Sequence, residues 1–292
     1  MLLIEALGAV LLGLAASLLG SMLGIGGGII IVPVLTVFFG TPIHTAIGAG
    51  LVTVITTSTV TGSTEARAEL THIRLAMLLE IATTIGAVMG ALLSLMLGLK
   101  VLAAVMSTVL VWSALRMMRQ DPGSSGHSRS AQASLASADH LPESGLAKRL
   151  RLAGSYFDES QGRTMSYQVS RTPIGLGLSG FAGAVSGLLG VGGGVIKVPA
   201  MATVMGVPIK VAAATSNLMI GVTACASASV FYMHGTIDPL LASLLMLGVV
   251  PGSSIGMLLA SKAPRMFLRA LFAVLLLGAA LLMLLKAFGV IA

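Results

Sequence analysis

The sequence predicts an all-α polytopic membrane protein built from two inverted repeats, and three observations support this fold class. Apolar residues make up 56% of the chain and charged residues 9%, with a mean hydropathy of +1.01. Apolar stretches such as 73–97 and 267–288 reach the roughly 20 residues that cross a bilayer. The run Gly24-Ile25-Gly26-Gly27-Gly28 also returns as Gly190-Val191-Gly192-Gly193-Gly194, and each copy is followed five residues later by a proline.

Each half is expected to contain one interrupted helical hairpin and three long helices. A glycine cluster in an apolar segment does not hold a regular helix at low cost, so the backbone is expected to unwind there. The repeat keeps a constant offset of 166 residues. The expected helical segments are 3–40, 43–63, 73–97 and 99–118, then 173–206, 209–232, 238–260 and 266–288.

Glycines within the third segment of each half indicate close helix packing. Gly86 and Gly90 match Gly252 and Gly256 at the repeat offset. Both pairs have the small-xxx-small spacing, which lets two helix backbones approach each other in lipid.

The domain organisation follows from a break in this apolar pattern. We assign a first membrane repeat to 1–118, a linker to 119–171 and a second membrane repeat to 172–292. The linker begins with a Ser/Gly/Ala-rich tract at 122–137, which is typical of flexible connections. Polar and apolar residues then alternate on both sides of Gly162, which predicts a small β-hairpin.

The number of membrane spans is judged from the positive charges. The linker and its flanks are rich in Arg and Lys, so they are expected in the cytoplasm. If each glycine segment is a re-entrant hairpin, the chain has six spans and the two halves are inverted. Lys262, Arg265 and Arg269 then lie on the cytoplasmic side as well. Eight spans remain the alternative, because hydropathy alone counts about eight segments.

Composition and motifs exclude several function classes. The net charge of +7 is better explained by anionic lipid and by orientation than by nucleic acid, because no nucleic-acid-binding motif is present. No nucleotide-binding, metal-dependent or serine-hydrolase motif is found, so we expect no cofactor, no metal site and no enzymatic activity. The single Cys225 excludes an internal disulfide. The protein is expected to be a multi-pass protein of the cell inner membrane.

The repeated glycines are the first candidate site for a transported solute. Paired helix interruptions at matching places in two halves indicate a binding site near the bilayer midplane. A helix that restarts after a glycine presents amide groups and the positive end of its dipole, which suit an anion. The alternative is that the glycines only permit a tight bend. The candidate substrate-binding glycines are Gly26, Gly27, Gly28, Gly192, Gly193 and Gly194.

A second candidate element is Thr215-Ser216-Asn217, near the start of an apolar helix. Unpaired polar atoms are costly there, so these side chains are expected to face a cavity or a partner. The first half has Ala49-Gly50-Leu51 at the corresponding positions. Nearby hydroxyls of the first half can compensate for that difference, or they can bond their own helix backbone. These are Thr53, Thr56, Thr57, Ser58, Thr59 and Thr61.

Two charged residues within apolar segments complete the set of candidates. Glu80 matches Met246 in the other half, and an intramembrane carboxylate is a candidate carrier of a coupling proton. The alternative is that Glu80 pairs with Arg74 or Arg116. Lys197 either attracts an anion or extends its side chain to the interface.

The motifs resemble those of a known family. The pattern Gly-x-Gly-Gly-Gly-x-x-x-x-Pro occurs in both halves, and Ala214-Thr215-Ser216-Asn217 follows the second copy. The segment His234-Gly235-Thr236-Ile237-Asp238 then ends the next helix. Together these features resemble the sulfite exporter TauE/SafE family.

The resemblance implies transport of sulfite, an organosulfonate or a related small anion. We therefore expect a secondary transporter that moves this anion by alternating access between its two halves. An anion channel or a non-transporting membrane subunit is the alternative, and an intramembrane enzyme is disfavoured. The expected partners are the anion and the lipid bilayer.

Overall fold

The computed structural model describes residues 2–23, 26–67, 71–118, 152, 154–158, 163–260 and 265–288. Its first half begins with a helix, a glycine break and a second, shorter helix. Three long helices follow. In chain order these helices are α1 (Leu2–Leu23), α2 (Gly28–Phe38), α3 (Ile43–Arg67), α4 (Ile73–Met96) and α5 (Leu99–Met118).

The second half repeats this order after a small sheet. The sheet consists of β1 (Gly154–Asp158) and β2 (Arg163–Tyr167). The helices are α6 (Thr172–Leu189), α7 (Gly194–Pro199), a π-helical turn (Ala200–Val204), α8 (Ile209–Met233), α9 (Pro239–Ala260) and α10 (Arg265–Ala287). The structure confirms the helical membrane fold class, and the long helices begin and end close to the expected bounds.

Each glycine hairpin brings its two ends together. In the first half, a Cβ added at Gly8 near the start of α1 would lie 3.2 Å from Phe39, just after α2. In the second half, Gly175 near the start of α6 is close to Met205, and the Ser170 amide donates to the Met205 carbonyl at 3.0 Å. The chain therefore enters and leaves each hairpin at the same level.

Eight helices of the described ranges are long and apolar enough to cross a membrane: α1, α3, α4, α5, α6, α8, α9 and α10. At about 1.5 Å per residue, α1 is about 33 Å long, which matches the thickness of a bilayer core. Length alone thus favours eight spans, whereas the paired hairpin ends favour re-entrant segments. The number of spans and the inverted orientation of the halves remain predictions.

The two halves exchange contacts reciprocally. Helix α1 packs along α9, and its repeat counterpart α6 packs along α4. Helices α3 and α8 pack against each other, as do α5 and α10. A Cβ added at Gly86 or Gly90 would collide with the backbone of α6, and one at Gly252 or Gly256 with α1. The expected close-packing role of these glycines is therefore confirmed.

The β-hairpin expected in the linker is present and packs against the second half. Its strands are antiparallel, with Gly154 opposite Tyr167 and Asp158 opposite Arg163. Leu152, Tyr167 and Val169 are buried in a cluster with residues of α4, α8 and the second glycine hairpin. The Ser/Gly/Ala-rich tract and Gly162 lie outside the described residues, and no observation tests the repeat and linker boundaries.

Candidate functional site

The two glycine breaks meet in the buried interior, beside Val54 of α3. A Cβ added at Gly28 would lie 2.5 Å from the Gly190 carbonyl oxygen and 2.6 Å from Val54. A Cβ at Gly192 would lie 2.9 Å from Val54 and from Ile220, which is the repeat counterpart of Val54. Only glycine allows this approach, so the breaks hold the two halves in contact.

The first break has a mostly ordinary backbone. Gly26 has a positive φ of 84°, whereas Gly27 is right-handed with φ of −72°. The amides of Ile30 and Ile31 donate to the Gly27 carbonyl. The amides of Gly28 and Ile29, at the start of α2, have no carbonyl acceptor within the helix. Gly24 and Ile25 lie outside the described residues.

The second break is left-handed over several residues. Gly190, Gly192 and Gly193 have φ of 72°, 86° and 71°. The amides of Ile196 and Lys197 donate to the Gly193 carbonyl. The Gly193 carbonyl therefore accepts the first helical hydrogen bonds, as the Gly27 carbonyl does in the first half. The same glycine pattern therefore adopts two different backbone paths.

A small polar cavity of about 10 Å³ adjoins the first break. This volume holds about one water molecule. Three hydroxyls of α3 face it, together with Asn217 of α8. The complete lining is Gly20, Ser21, Gly26, Val54, Thr57, Ser58, Thr61, Asn217 and Ile220.

The hydroxyls around this cavity donate to backbone carbonyls. Thr57 donates to Thr53, Thr61 to Thr57, and Ser58 to the Asn217 carbonyl of the other half. A hydroxyl can rotate and exchange such a bond for a stronger one to a charged ligand. Thr59 also bonds its own helix, but it is exposed and does not line the cavity.

The residues of Thr215-Ser216-Asn217 are all buried, but they do not face a common site. Thr215 accepts a hydrogen bond from the His72 amide at 3.0 Å, at the start of α4. The Ser216 hydroxyl has no hydrogen-bond partner among the described residues. Asn217 lines the first-break cavity. Their assignment to substrate binding remains a prediction, with Asn217 best placed for it.

A chain of three polar side chains lies beside the second break. The Lys197 ammonium donates to the Thr223 hydroxyl at 2.7 Å, and that hydroxyl lies 2.7 Å from Glu80 Oε1. Thr84 lies 3.3 Å from the same oxygen. We name Lys197, Thr223 and Glu80 the polar relay. It joins α7 and α8 of the second half to α4 of the first half.

The relay changes two interpretations from the sequence. Lys197 does not extend to the interface: it is 1% exposed, because Thr223 and Glu80 give its ammonium a polar environment within the protein. Glu80 bonds to Thr223 and Thr84 rather than to Arg74 or Arg116. Thr223 is not among the residues that the sequence predicts for the site, although its repeat counterpart Thr57 is one of the candidate hydroxyls.

A larger groove of about 600 Å³ lies between α4 and α8. It is lined mainly by apolar residues, many of which are exposed on the lipid-facing surface. Glu80 is its charged lining residue, and Thr84 lies one turn further along α4. The lining is Ile73, Ala76, Met77, Glu80, Ile81, Thr84, Ile85, Leu218, Met219 and Val222.

Comparisons with known proteins agree with the motifs. The family model described as "Sulfite exporter TauE/SafE" matches residues 9–283. The chain is 26% identical over 254 residues to a protein of Bacillus subtilis (strain 168) named "Probable membrane transporter protein YunE". That match covers 85% of this chain and 84% of the relative. No solved structure matches the chain.

Proposed function

Because the chain belongs to the sulfite exporter TauE/SafE family, we propose that it is a secondary transporter of sulfite or an organosulfonate. The observation that carries the proposal is the meeting of two glycine breaks beside a hydroxyl-lined cavity. The amides at the start of α2 and the dipole of that helix favour a negative solute there. A sulfite or sulfonate group offers three oxygens to these donors.

The binding site spans both breaks in this proposal. Gly26, Gly27 and Gly28 contact the anion from the first half, with Asn217 from the opposite side. Gly192, Gly193 and Gly194 form the facing wall, whereas Thr215 and Ser216 do not line the cavity and lie outside the site in this conformation. Since the cavity holds only about one water molecule, an oxyanion enters after the hairpins move apart.

Alternating access then has a simple structural basis. Each half contributes a hairpin that packs on the other half, so a rocking motion opens the contact between Gly28 and Gly190 on one side at a time. We place the protein in the cell inner membrane, with the linker in the cytoplasm and the hairpins re-entrant.

Counterflow in proteoliposomes tests the proposal. Purified protein is reconstituted into vesicles loaded with unlabelled sulfite, and ³⁵S-labelled sulfite is added outside. A transporter gives a transient accumulation of label above equilibrium, whereas a channel gives equilibration without this overshoot. Competition by sulfate, thiosulfate, taurine and short alkanesulfonates then ranks the substrates. The proposal would be contradicted if labelled sulfite showed no overshoot and none of the other anions were exchanged.

A glycine substitution links the assay to the site. In Gly28→Ala, the new Cβ would lie 2.5 Å from the Gly190 oxygen, so the two breaks must separate. We expect counterflow to fall at least about tenfold, which corresponds to about 1.4 kcal/mol. Gly278→Ala in α10 is the matched control, because a Cβ there meets no atom within 4 Å. Equal counterflow in the two variants would reject the assigned site.

A further inference from the structure

We propose that the polar relay of Lys197, Thr223 and Glu80 couples transport to protons, with Glu80 protonated once for each anion carried. This inference rests on the proposed function and names its coupling ion.

The relay lies between helices of both halves, and Glu80 also lines the groove between α4 and α8. Lys197 is fully buried in α7, Thr223 is fully buried in α8, and Glu80 is partly buried in α4. Thr223 lies between the two charged groups and hydrogen-bonds to both. A motion of one half against the other must therefore change the distance between the ammonium and the carboxylate.

Glu80 has an oxygen available for a proton. Its Oε1 accepts from Thr84 and contacts Thr223, whereas its Oε2 is buried without a hydrogen-bond partner among the described residues. A buried carboxylate oxygen without a donor is costly. Protonation at Oε2 removes the charge, which is the larger part of this cost.

Lys197 is the nearby charged group that balances the charge of Glu80, because the other ionisable groups on the neighbouring helices are distant or exposed. Helix α6, which packs on α4, has no ionisable side chain. Helix α8 carries Lys210 about 20 Å along its axis from Thr223 and Cys225 on its exposed face. On α4 itself, His72 and Arg74 lie at the first turn, about 10 Å along the helix from Glu80. Among the side chains that the structure describes on these helices, Lys197 is therefore the ionisable group beside Glu80.

Charge balance then requires the proton and the anion to bind together. With Glu80 ionised, the pair carries no net charge. With Glu80 protonated, the pair carries +1, which a bound monoanion cancels. Uncompensated charge within the bilayer is expensive, so the empty carrier moves with Glu80 ionised and the loaded carrier with Glu80 protonated.

The proton exchange is balanced with water. On the side where the anion binds, hydronium gives a proton to the Glu80 carboxylate and becomes water. On the other side, the carboxyl group returns that proton to water as the anion leaves. Lys197 stays an ammonium throughout, and its bond to Thr223 keeps it beside the carboxyl group.

The relay occurs once, although the fold is duplicated. The repeat counterparts of Lys197, Thr223 and Glu80 are Ile31, Thr57 and Met246, so the first half keeps the hydroxyl and lacks both charges. One charged pair per chain predicts one proton for each monoanion.

Glu80→Gln separates exchange of the anion from its accumulation by a pH gradient. Glutamine imitates the protonated acid, so the loaded carrier stays neutral and exchanges labelled sulfite, whereas the empty carrier is left with +1. We expect counterflow above half of the wild-type rate, with accumulation driven by a pH gradient at least tenfold lower. Met246→Gln, the counterpart position, is the control and keeps both activities. Gradient-driven accumulation in Glu80→Gln equal to the wild type would overturn the inference.

Chemical labelling tests whether Glu80 takes up a proton, and it needs no transport assay. Dicyclohexylcarbodiimide is apolar, can enter the groove from lipid, and reacts with a protonated carboxyl group to leave an N-acylurea. We expect mass spectrometry to find this adduct on Glu80, decreasing as the pH is raised and absent in Glu80→Gln. If the wild type moves no sulfite yet shows this pH-dependent adduct, the substrate proposal fails and the relay stands. No adduct on Glu80 at any pH would overturn the relay.

Discussion

The first and second glycine breaks share a sequence pattern and differ in backbone conformation and in charge. Gly27 is right-handed, whereas its counterpart Gly193 is left-handed. The first break adjoins a cavity lined by hydroxyls and Asn217. The second break adjoins the buried Lys197, bonded through Thr223 to Glu80. The two halves therefore share the hairpins, while the chemistry beside them differs.

The features that both halves keep are those that position helices. The glycines of α4 and α9 contact the opposite half in the same way, and both hairpins return to the level at which they start. The features that differ are polar side chains pointing into the contact between the halves. We propose from this division that the polar side chains beside the first break recognise the anion, and that those beside the second supply the balancing charge.

Removal of the Lys197 charge should have the largest effect on stability. While Glu80 is ionised, Lys197→Met leaves it without its opposite charge in a partly buried site, which costs about 3 kcal/mol. The double variant Lys197→Met/Glu80→Gln removes both charges and should recover most of that loss. Thermal unfolding in detergent, followed with a fluorescent dye, measures both. A double variant less stable than Lys197→Met would show that the two charges do not act as a pair.

The two counterpart glycines should respond differently to alanine. At Gly193 the φ of 71° is left-handed, and a Cβ would lie 2.9 Å from the Ala182 carbonyl. Gly193→Ala should therefore lower stability by about 1–2 kcal/mol or more. At Gly27 the backbone suits any residue and the nearest atoms are 3.4 Å away, so the loss should be below about 0.5 kcal/mol. Equal losses by thermal unfolding would mean that the two backbones do not differ.

The Thr215 hydroxyl should matter for stability where the start of α8 meets the start of α4. Thr215→Ala removes the acceptor of the His72 amide, which leaves a part-buried donor unpaired and costs about 1 kcal/mol. Thr59→Ala is the control, because Thr59 is exposed and bonds only its own helix. Thermal unfolding of both variants is the measurement. A loss in Thr59→Ala as large as in Thr215→Ala would argue against a role for this contact.

His72 should give the smallest effect, a pH dependence of stability. Its Nδ1 accepts from the Leu75 amide, and its Nε2 lies 3.2 Å from the Leu152 carbonyl, which fixes the neutral ring. Burial lowers the pKa of His72 below its ordinary value. Since the unfolded chain binds this proton more tightly, the stabilisation is present above about pH 6.5 and is lost as the pH falls below that value.

The control variant is His72→Asn, which does not titrate in this range. Its side-chain oxygen can accept from the Leu75 amide at either pH. Melting temperatures between pH 7.5 and pH 5 should fall more steeply in the wild type than in His72→Asn. Parallel curves would exclude His72 as the source of the pH dependence.

Much of the architecture could be predicted from the sequence, because helix bounds follow from apolar run lengths and glycines mark the breaks. Helix α5 begins and ends where the sequence indicated, and α3 continues only a few residues further than expected. Alternation around a glycine likewise predicted the β-hairpin.

The chemistry of the second break could not be predicted in the same way. The relay needs side chains from three helices and both halves, so no local pattern places Thr223 between Lys197 and Glu80. The sequence also does not reveal that the backbone is right-handed at Gly27 and left-handed at Gly193, because glycine accepts both conformations. The hydrogen bond between Thr215 and His72 likewise depends on tertiary packing.

Substitution of the counterpart hydroxyls Thr57 and Thr223 by valine tests the central claim most directly. Both variants are assayed in the same proteoliposomes for the KM of labelled sulfite and for its accumulation under a pH gradient. Thr57→Val should raise the KM several-fold and keep the accumulation ratio, because it alters the first-break cavity. Thr223→Val should keep the KM within about twofold and lose most of the accumulation, because it interrupts the relay. Equal changes in the same parameter for both variants would contradict a division of roles between the two breaks.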